Sequence, residues 1–156
     1  MESVISIGEL NRVAEVDLVY RNFIKPSQRP QVTAADTAYK YFLQSWNSDR
    51  IEFVEEFKLM LLNRSGRVLG ILSVSSGGVS GTIADPKIIF AAALKASASS
   101  LILAHNHPSG NLQPSQADIG LTRKIAAGGQ LLEISVNDHL IITSEGYYSF
   151  AEEGLL

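Results

Sequence analysis

The sequence contains no cysteine, and this absence excludes several kinds of site at once. Disulfides, thiolate zinc sites and cysteine nucleophiles all need a sulfur atom that the chain does not have. Histidine is scarce too, with three residues among 156. Any bound metal must therefore be held by histidine, aspartate or glutamate.

Positive charge is in short supply, because 13 Lys and Arg residues stand against 16 Asp and Glu, for a net charge of −3. Charges of both signs are interspersed, and no basic stripe indicates a phosphate backbone as partner. The composition thus gives no support to direct binding of nucleic acid.

Long apolar runs are also missing. A transmembrane helix needs roughly 20 apolar residues in succession, and no segment of the sequence approaches that length. The first residues, MESVISIGEL, lack the basic flank and the apolar stretch of a signal peptide. These absences predict a soluble, cytoplasmic protein without a membrane partner.

Hydrophobic periodicity predicts an α/β fold in which a mixed β-sheet is flanked by helices. The predicted strands are 13–23, 53–63, 67–75, 99–105 and a strand or hairpin within 131–150. The predicted helices are 33–46, 85–98 and 114–129. Residues 1–50 are interpreted as an N-terminal strand–helix extension packed on a core formed by residues 51–156.

Local signals predict where some of these elements begin and end. Thr33 or Asp36 is expected to cap the first long helix. Gly128 and Gly129 are expected to stop the helix that begins near residue 114. The small residues at 76–82 predict a loop, but they lack the lysine of a phosphate-binding loop.

Two of the three histidines, His105 and His107, stand at the end of an apolar run. Side chains two apart on a strand share a face and lie roughly 6 to 7 Å apart along the backbone, which suits two ligands of one ion. Asp118, eleven residues later in the first turn of the next helix, is the candidate third ligand. Two imidazoles and one carboxylate favour zinc with an open fourth position.

Simpler interpretations of the same residues remain open at this point. Ser115 and Asp118 have the spacing of a helix capping box, which needs no metal. His105 and His107 would then be hydrogen-bonded histidines at a strand end. His139 is interpreted as a strand histidine or as a residue that contacts a ligand without binding the metal itself.

The spacing of His105, His107, Ser115 and Asp118 resembles the JAMM metalloprotease pattern of H-x-H, seven residues, Ser, two residues and Asp. The segments HNHPSG, PSQAD, LTRKI, DHLII and SEGYYSF narrow the resemblance to the RadC-like family of bacterial JAMM-domain proteins, over about residues 50 to 150. The resemblance implies a JAMM/cytidine-deaminase-like sandwich and a RadC-like JAMM domain at 51–156.

The same resemblance implies roles for individual residues. His105, His107 and Asp118 would bind Zn2+, and Ser115 would help to stabilise the tetrahedral intermediate. An upstream glutamate would activate the attacking water as general base. The implied function is zinc-dependent cleavage of peptide or isopeptide bonds in a protein substrate that the sequence does not identify.

Strand parity selects the glutamate. Glu55, Phe57 and Leu59 would share one side of the strand, whereas Glu56 and Lys58 would share the other. Lys58 predicts that the second side is the wetter one, with Glu56 in a surface charge pair. Glu55, at the head of the apolar side, is therefore the predicted base, and the E-x-F placement in RadC-like relatives indicates the same residue.

Two further points stay open. A bulge at Val54 would exchange the roles of the neighbouring glutamates, while Glu52 lies too early in the strand to act. The alternative function is that of a RadC-like DNA repair, recombination or mobile-element accessory protein in which the domain is a binding module. The helix-hairpin-helix segment common in such proteins has no signature in the first fifty residues, and the oligomeric state is not predicted.

Overall fold

Eight helices and strands make up the ordered framework of the computed structural model, which describes residues 14, 16–17, 19–78 and 83–156. In chain order they are α1 (Ala35–Ser45), β1 (Glu56–Leu62), β2 (Val68–Ser76), α2 (Pro86–Lys95), β3 (Ser100–Asn106), α3 (Gln116–Leu131), β4 (Ser135–Ile142) and β5 (Tyr147–Ser149). Among the described residues, the 3-10 turn Pro26–Gln28 precedes them.

The strands form one mixed sheet in the order β2-β1-β3-β4-β5. β1 is antiparallel to both β2 and β3, β3 is parallel to β4, and β4 is antiparallel to β5. The parallel pair is joined through α3, as a crossover between parallel strands requires. The predicted α/β fold with a mixed sheet is confirmed.

Helices cover both faces of this sheet, so every residue of β3 is buried. On one face, α1 packs through Ala38 and Phe42 against side chains that include Ile102 and Ala104 of β3. On the other face, α2 and α3 pack against the alternate side chains of the strands. Successive residues of β3 thus enter two different cores.

The predicted strand at 13–23 is wrong where the structure describes it. Residues 14, 16–17 and 19–23 have no strand conformation, and residues 13, 15 and 18 lie outside the described part. The segment contacts β2 through side chains instead, because the Tyr20 hydroxyl and the Asn22 amide both donate to the carbonyl oxygen of Leu69. Phe23 is 92% exposed, so the apolar alternation here does not mark a buried face.

Two predicted helix ends differ from the structure. The N-cap of α1 is Ala34, which has no side-chain oxygen, and neither Thr33 nor Asp36 takes that place. α3 runs through Gly128 and Gly129 to Leu131. A Cβ on Gly129 would lie 2.3 Å from the carbonyl oxygen of Ile134, so this glycine allows close approach of the following chain rather than ending the helix.

The remaining local predictions have mixed outcomes. The hairpins β1–β2 and β4–β5 and the helices α1, α2 and α3 lie where the pattern placed them, within a few residues. Of the predicted small-residue loop at 76–82, residues 79–82 lie outside the described part. Within the described ranges, none of the helices has the length and apolar character needed to cross a bilayer.

Candidate metal centre

The histidines and the aspartate singled out in the sequence meet at the carboxyl end of β3. His105 is the penultimate residue of β3, His107 follows the strand, and Asp118 lies in the first turn of α3. The Nε2 atoms of the two histidines are 3.0 Å apart. The Asp118 carboxylate is 3.4 Å from Nε2 of His105 and 3.7 Å from Nε2 of His107.

One ligand atom from each of these three residues lies within 4.8 Å of the other two, so the group can hold a metal ion. The two rings reach the same point from different backbone positions, because His105 points from the end of β3 and His107 from the turn that follows. The side chain of His105 is 1% exposed, whereas those of His107 and Asp118 are partly open to solvent. The cluster is therefore buried at its base and accessible on one side.

A chain of hydrogen bonds behind His105 fixes where its protons lie. The Thr122 hydroxyl donates to the carbonyl oxygen of Asp118 at 2.7 Å, so it must accept from Nδ1–H of His139 at 2.6 Å. Nε2 of His139 is then unprotonated, and it accepts a hydrogen bond from Nδ1–H of His105 at 2.8 Å. The neutral ring of His105 consequently presents an unprotonated Nε2 to the cluster.

His139, at the centre of this chain, is fully buried between two aromatic rings. It stacks on Phe150 and meets Phe57 edge-on, with ring centroids 4.7 Å and 5.5 Å away. Burial lowers the pKa of His139 well below its usual value, and the neighbouring His105 lowers it further. A neutral His139 is what the hydrogen-bond chain requires, since a doubly protonated ring has no acceptor.

His107 is oriented in a similar way by the backbone. Its Nδ1 contacts the carbonyl oxygen of Asn111, which can only accept, so Nδ1 carries the proton and Nε2 is the free nitrogen of the neutral ring. This arrangement, in which a ligand histidine donates its other N–H to a carbonyl, is common around protein metals. Both histidines therefore direct a lone pair toward the same point.

The donor set fits a divalent cation. Two imidazole lone pairs and a carboxylate oppose one another at short range, and a positive charge between them would remove the repulsion. Three nitrogen and oxygen ligands with an open side match a catalytic zinc centre. His107 also has a raised pKa, chiefly because its protonated ring can donate a hydrogen bond to the Asp118 carboxylate, so without a metal the same site favours a proton.

The carboxylate of Asp118 is strongly favoured in its ionised form. Its burial alone would raise its pKa, but in the metal-free site hydrogen bonds from the protonated forms of His105 and His107 outweigh burial and hold the pKa well below the usual range. Asp118 thus offers a negatively charged carboxylate to the cluster. Charged oxygen is the form that metal binding needs.

Glu55 lies just before β1 and within electrostatic range of the cluster. Burial raises the pKa of its carboxyl, the charges of His105 and His107 lower it, and Asp118 raises it again. Its neighbour Glu56 instead accepts from Arg50 at 2.9 Å. Glu55 thus lies near the cluster, and its role as general base stays a prediction.

One premise of the parity argument is wrong. Lys58 was expected to mark a wet face, yet it is only 7% exposed. Its ammonium group donates to the carbonyl oxygen of Ser45 at 2.6 Å and lies 4.7 Å from the centre of the Trp46 ring. Helix α1 buries this face, which a sequence pattern on β1 alone cannot show, and burial lowers the pKa of Lys58.

The register of β1 also differs from the possibility left open above. The irregularities in its pairing with β2 fall between Phe57 and Lys58 and between Leu61 and Leu62, not at Val54. Glu52 is in the turn that precedes β1, where its carboxylate accepts from the Ser144 hydroxyl at 2.9 Å.

Ser115 is the N-cap of α3. Its Oγ accepts from the backbone N–H of Asp118 at 3.1 Å, and the Asp118 carboxylate accepts from the backbone N–H of Ser115 at 2.7 Å. The capping box is therefore present, and Asp118 belongs to both the cap and the cluster. The hydroxyl proton of Ser115 is not used by the cap, so its predicted role toward a substrate oxygen stays a prediction.

A cleft of about 620 Å³ opens beside His107. One wall is the turn after β3, from Pro108 to Leu112, and the other is formed by Ile51, Glu52 and the β4–β5 turn at 143–146. A cleft that starts at the exposed side of the cluster is large enough to take a short extended peptide.

Thr122 and Asn106, two residues that hold the surroundings of the cluster in place through hydrogen bonds, were not singled out from the sequence. Thr122 stands four residues after Asp118, so helix geometry places both on one face. Asn106 falls at a core position by strand parity, because Ile102 and Ala104 precede it. A buried polar residue needs hydrogen-bond partners, so the occurrence of an asparagine at this core position was the signal that could have identified Asn106.

Comparison with known proteins places the chain beside a family of bacterial proteins. The family described as RadC-like JAB domain matches residues 32–155. A UPF0758 protein of Flavobacterium johnsoniae is 48% identical over 101 residues, which are 65% of this chain and 44% of that protein. One from Porphyromonas gingivalis is 50% identical over 103 residues, 65% of this chain and 45% of that protein.

A longer match is found in Salinibacter ruber, whose UPF0758 protein is 39% identical over 130 residues, 83% of this chain and 54% of that protein. The chain spans about half the length of the curated relatives it matches. The names of these relatives state no substrate or activity.

Proposed function

The chain belongs to the RadC-like JAB domain family, and from this membership we propose that it is a zinc-dependent hydrolase of peptide or isopeptide bonds. The observation that carries the proposal is the convergence of His105, His107 and Asp118 on one point, with both free imidazole nitrogens directed there. Three such ligands would hold zinc and leave a position open.

A bound zinc ion would supply a Lewis acid that polarises a substrate carbonyl and lowers the pKa of water. The chain's own residues would handle the proton. Glu55, with a raised pKa, is suited to take a proton from the attacking water and to deliver it to the nitrogen of the leaving amine as the C–N bond breaks. Ser115 would donate a hydrogen bond from its free hydroxyl to the substrate oxygen.

Metal analysis of the purified protein tests the first part of the proposal. We expect close to one zinc per chain, and loss of tight binding in His105→Ala and His107→Ala. A doubly substituted protein that still carried a full zinc equivalent would show that the ligands are assigned wrongly. Peptide and isopeptide libraries, assayed with and without chelator, then test for hydrolysis.

Substitution of the two glutamates tests the second part. Glu55→Gln should retain zinc, because it removes no ligand, and should lose hydrolysis by roughly 10² or more, as expected for deletion of a positioned base. Glu56→Gln is the matched control, since it changes the neighbouring carboxylate that pairs with Arg50, and it should hydrolyse nearly as well as the wild type. An inactive Glu56 variant beside an active Glu55 variant would reverse the assignment.

Zinc loading without chelator-sensitive hydrolysis of any library member would contradict the hydrolase proposal. The domain would then be better explained as a binding module, the alternative drawn from the RadC-like resemblance.

A further inference from the structure

Asn106 lies between the two histidines in sequence but on the other side of the sheet. Ile102 and Ala104, which share its parity in β3, pack in the core beneath α1. Asn106 is 0% exposed, so its carboxamide must find all its partners within the protein. Its position excludes it from the metal ligands and leaves its own role unexplained.

The carboxamide of Asn106 makes three hydrogen bonds to one short segment of backbone. Its Oδ1 accepts from the N–H of Glu56 at 2.7 Å. Its Nδ2 donates to the carbonyl oxygens of Ile51 at 2.7 Å and of Val54 at 2.9 Å. The orientation of the amide follows from these partners, since an N–H needs an acceptor and a carbonyl needs a donor.

Two of these three bonds end on the residues directly before and after Glu55. Val54 and Glu56 are both held by the same rigid, planar group, so the backbone of Glu55 is fixed from its two sides. A further bond runs from the N–H of Gly77 to the carbonyl oxygen of Glu55 at 2.8 Å. The remaining freedom of Glu55 is therefore in its side chain.

These bonds occur where the regular ladder between β1 and β3 has stopped. The paired residues of the two strands begin with Phe57 and His105, and Glu55 precedes that pair. Strand ends without ladder bonds open readily, which would let a residue there move. The side chain of Asn106 takes over from the ladder at this point.

We propose that Asn106 is a positioning residue that fixes Glu55 relative to His105 and His107. These two histidines are the neighbours of Asn106 in sequence, at the end of β3. The part that concerns catalysis rests on the proposed function, in which Glu55 is the general base. Because one side chain joins the backbone of the ligands to the backbone of the base, their separation is set by a short rigid path.

The first test measures backbone exchange and needs no activity. In Asn106→Ala, the amides of Glu56 and Gly77 should exchange with solvent at least about fivefold faster, which corresponds to the loss of about 1 kcal/mol of hydrogen bonding. Amides in the middle of β1, such as that of Leu59, should change much less. Asn106→Ser, which leaves a smaller gap, serves if the alanine variant does not fold.

Asn63→Ala is the matched control. Asn63 follows the opposite end of β1, where its Oδ1 accepts from the N–H groups of Ser65 and Arg67 at 3.0 Å each. It is an asparagine that holds a backbone segment, as Asn106 is, but it is remote from the cluster. If Glu56 and Gly77 exchange equally fast in both variants, or are unchanged in Asn106→Ala, the proposal is wrong.

The second test asks whether Asn106 acts through Glu55. Asn106→Ala should keep zinc affinity near that of the wild type and lower kcat by about 10², the cost of misplacing a catalytic group by about 1 Å. In the Glu55→Gln background the same substitution should cause little further loss, because the group that it positions is already gone. An equal loss in both backgrounds would contradict the proposal.

The two tests separate this inference from the proposed function. If the wild type hydrolyses nothing, the hydrolase proposal fails, and the exchange measurement still decides whether Asn106 holds the Glu55 segment. If hydrolysis is found but exchange at Glu56 and Gly77 is unchanged, Asn106 does not position Glu55 and the hydrolase proposal stands.

Discussion

At the scale of single residues, a hydroxyl two contacts away from the cluster determines what His105 offers to a metal. Thr122 is 1% exposed and connects the backbone of Asp118 to the ring of His139, which in turn accepts from His105. While both rings are neutral, this chain of donors and acceptors places one proton on Nδ1 of His139 and one on Nδ1 of His105. Removal of the Thr122 hydroxyl should therefore change the protonation of Nε2 of His105.

Thr122→Val keeps the shape of the side chain and removes the acceptor for Nδ1–H of His139. Without that acceptor, the tautomer of His139 with its proton on Nε2, facing His105, becomes more favourable. Nδ1 of His105 would then have to accept, and the proton of His105 would move to Nε2, the nitrogen that faces the metal. We expect zinc affinity to fall by about 10- to 100-fold, in line with other changes behind metal-bound histidines. Titration against a competing chelator measures it.

Thr143→Val is the control for that measurement. Thr143 is similarly buried, and its hydroxyl donates to the carbonyl oxygen of Gly146 instead of a histidine chain. Its zinc affinity should match that of the wild type. Equal affinities in the two valine variants would mean that Thr122 does not set the state of His105.

At this scale, the sequence indicates the ligand cluster but not the surroundings of Lys58. The spacing of His105, His107 and Asp118 was enough to predict that they lie close together, although His107 points from the turn after β3 and not from the strand itself. The burial of Lys58 could not be predicted, because it depends on α1, which comes from a distant part of the chain. Glu55 was reached by an argument with one wrong premise, since both faces of β1 are buried.

At the scale of elements, the glycines of α3 show how tertiary packing overrides a local signal. Consecutive glycines near a helix end usually indicate its termination. Here Gly128 lies against the ring of Phe90 and Gly129 against the backbone of Ile134, and α3 continues to Leu131. The missing side chains make room for α2 and for the start of β4, contacts that a single sequence does not display.

Gly129→Ala should destabilise the protein by roughly 1–3 kcal/mol, as overpacking of a closed site does, because its Cβ would meet a backbone oxygen that cannot rotate away. Gly120→Ala, in the same helix, is the control. A Cβ there meets open space, so the substitution should stabilise by about 0.5–1 kcal/mol through helix propensity. Denaturant unfolding of both variants provides the comparison, and a loss at Gly120 equal to that at Gly129 would contradict it.

At the scale of the whole molecule, the hairpins and the alternation of elements were sufficient to predict a mixed sheet between helices. Each depends on short-range signals, a turn such as NRSG or an apolar strand followed by a helix start. The N-terminal segment failed because exposed apolar residues such as Val16 and Phe23 imitate the alternation of a strand. Periodicity reports a buried face only when something covers that face.

The charge of the whole chain leads to the last prediction. With a net charge of −3, the chain lacks an excess of lysine and arginine. Such residues drive binding to DNA by neutralising phosphates, which releases the counterions condensed on the DNA. We expect no binding of duplex or single-stranded DNA tighter than about 10⁻⁶ M at low salt, measured by fluorescence anisotropy with this chain alone. Zinc-free protein is the control, because a phosphate could bind an open metal site directly, and such binding would disappear with the metal. Submicromolar binding that persists without zinc and weakens steeply with added salt would contradict the prediction, and would favour the binding-module alternative over a hydrolase.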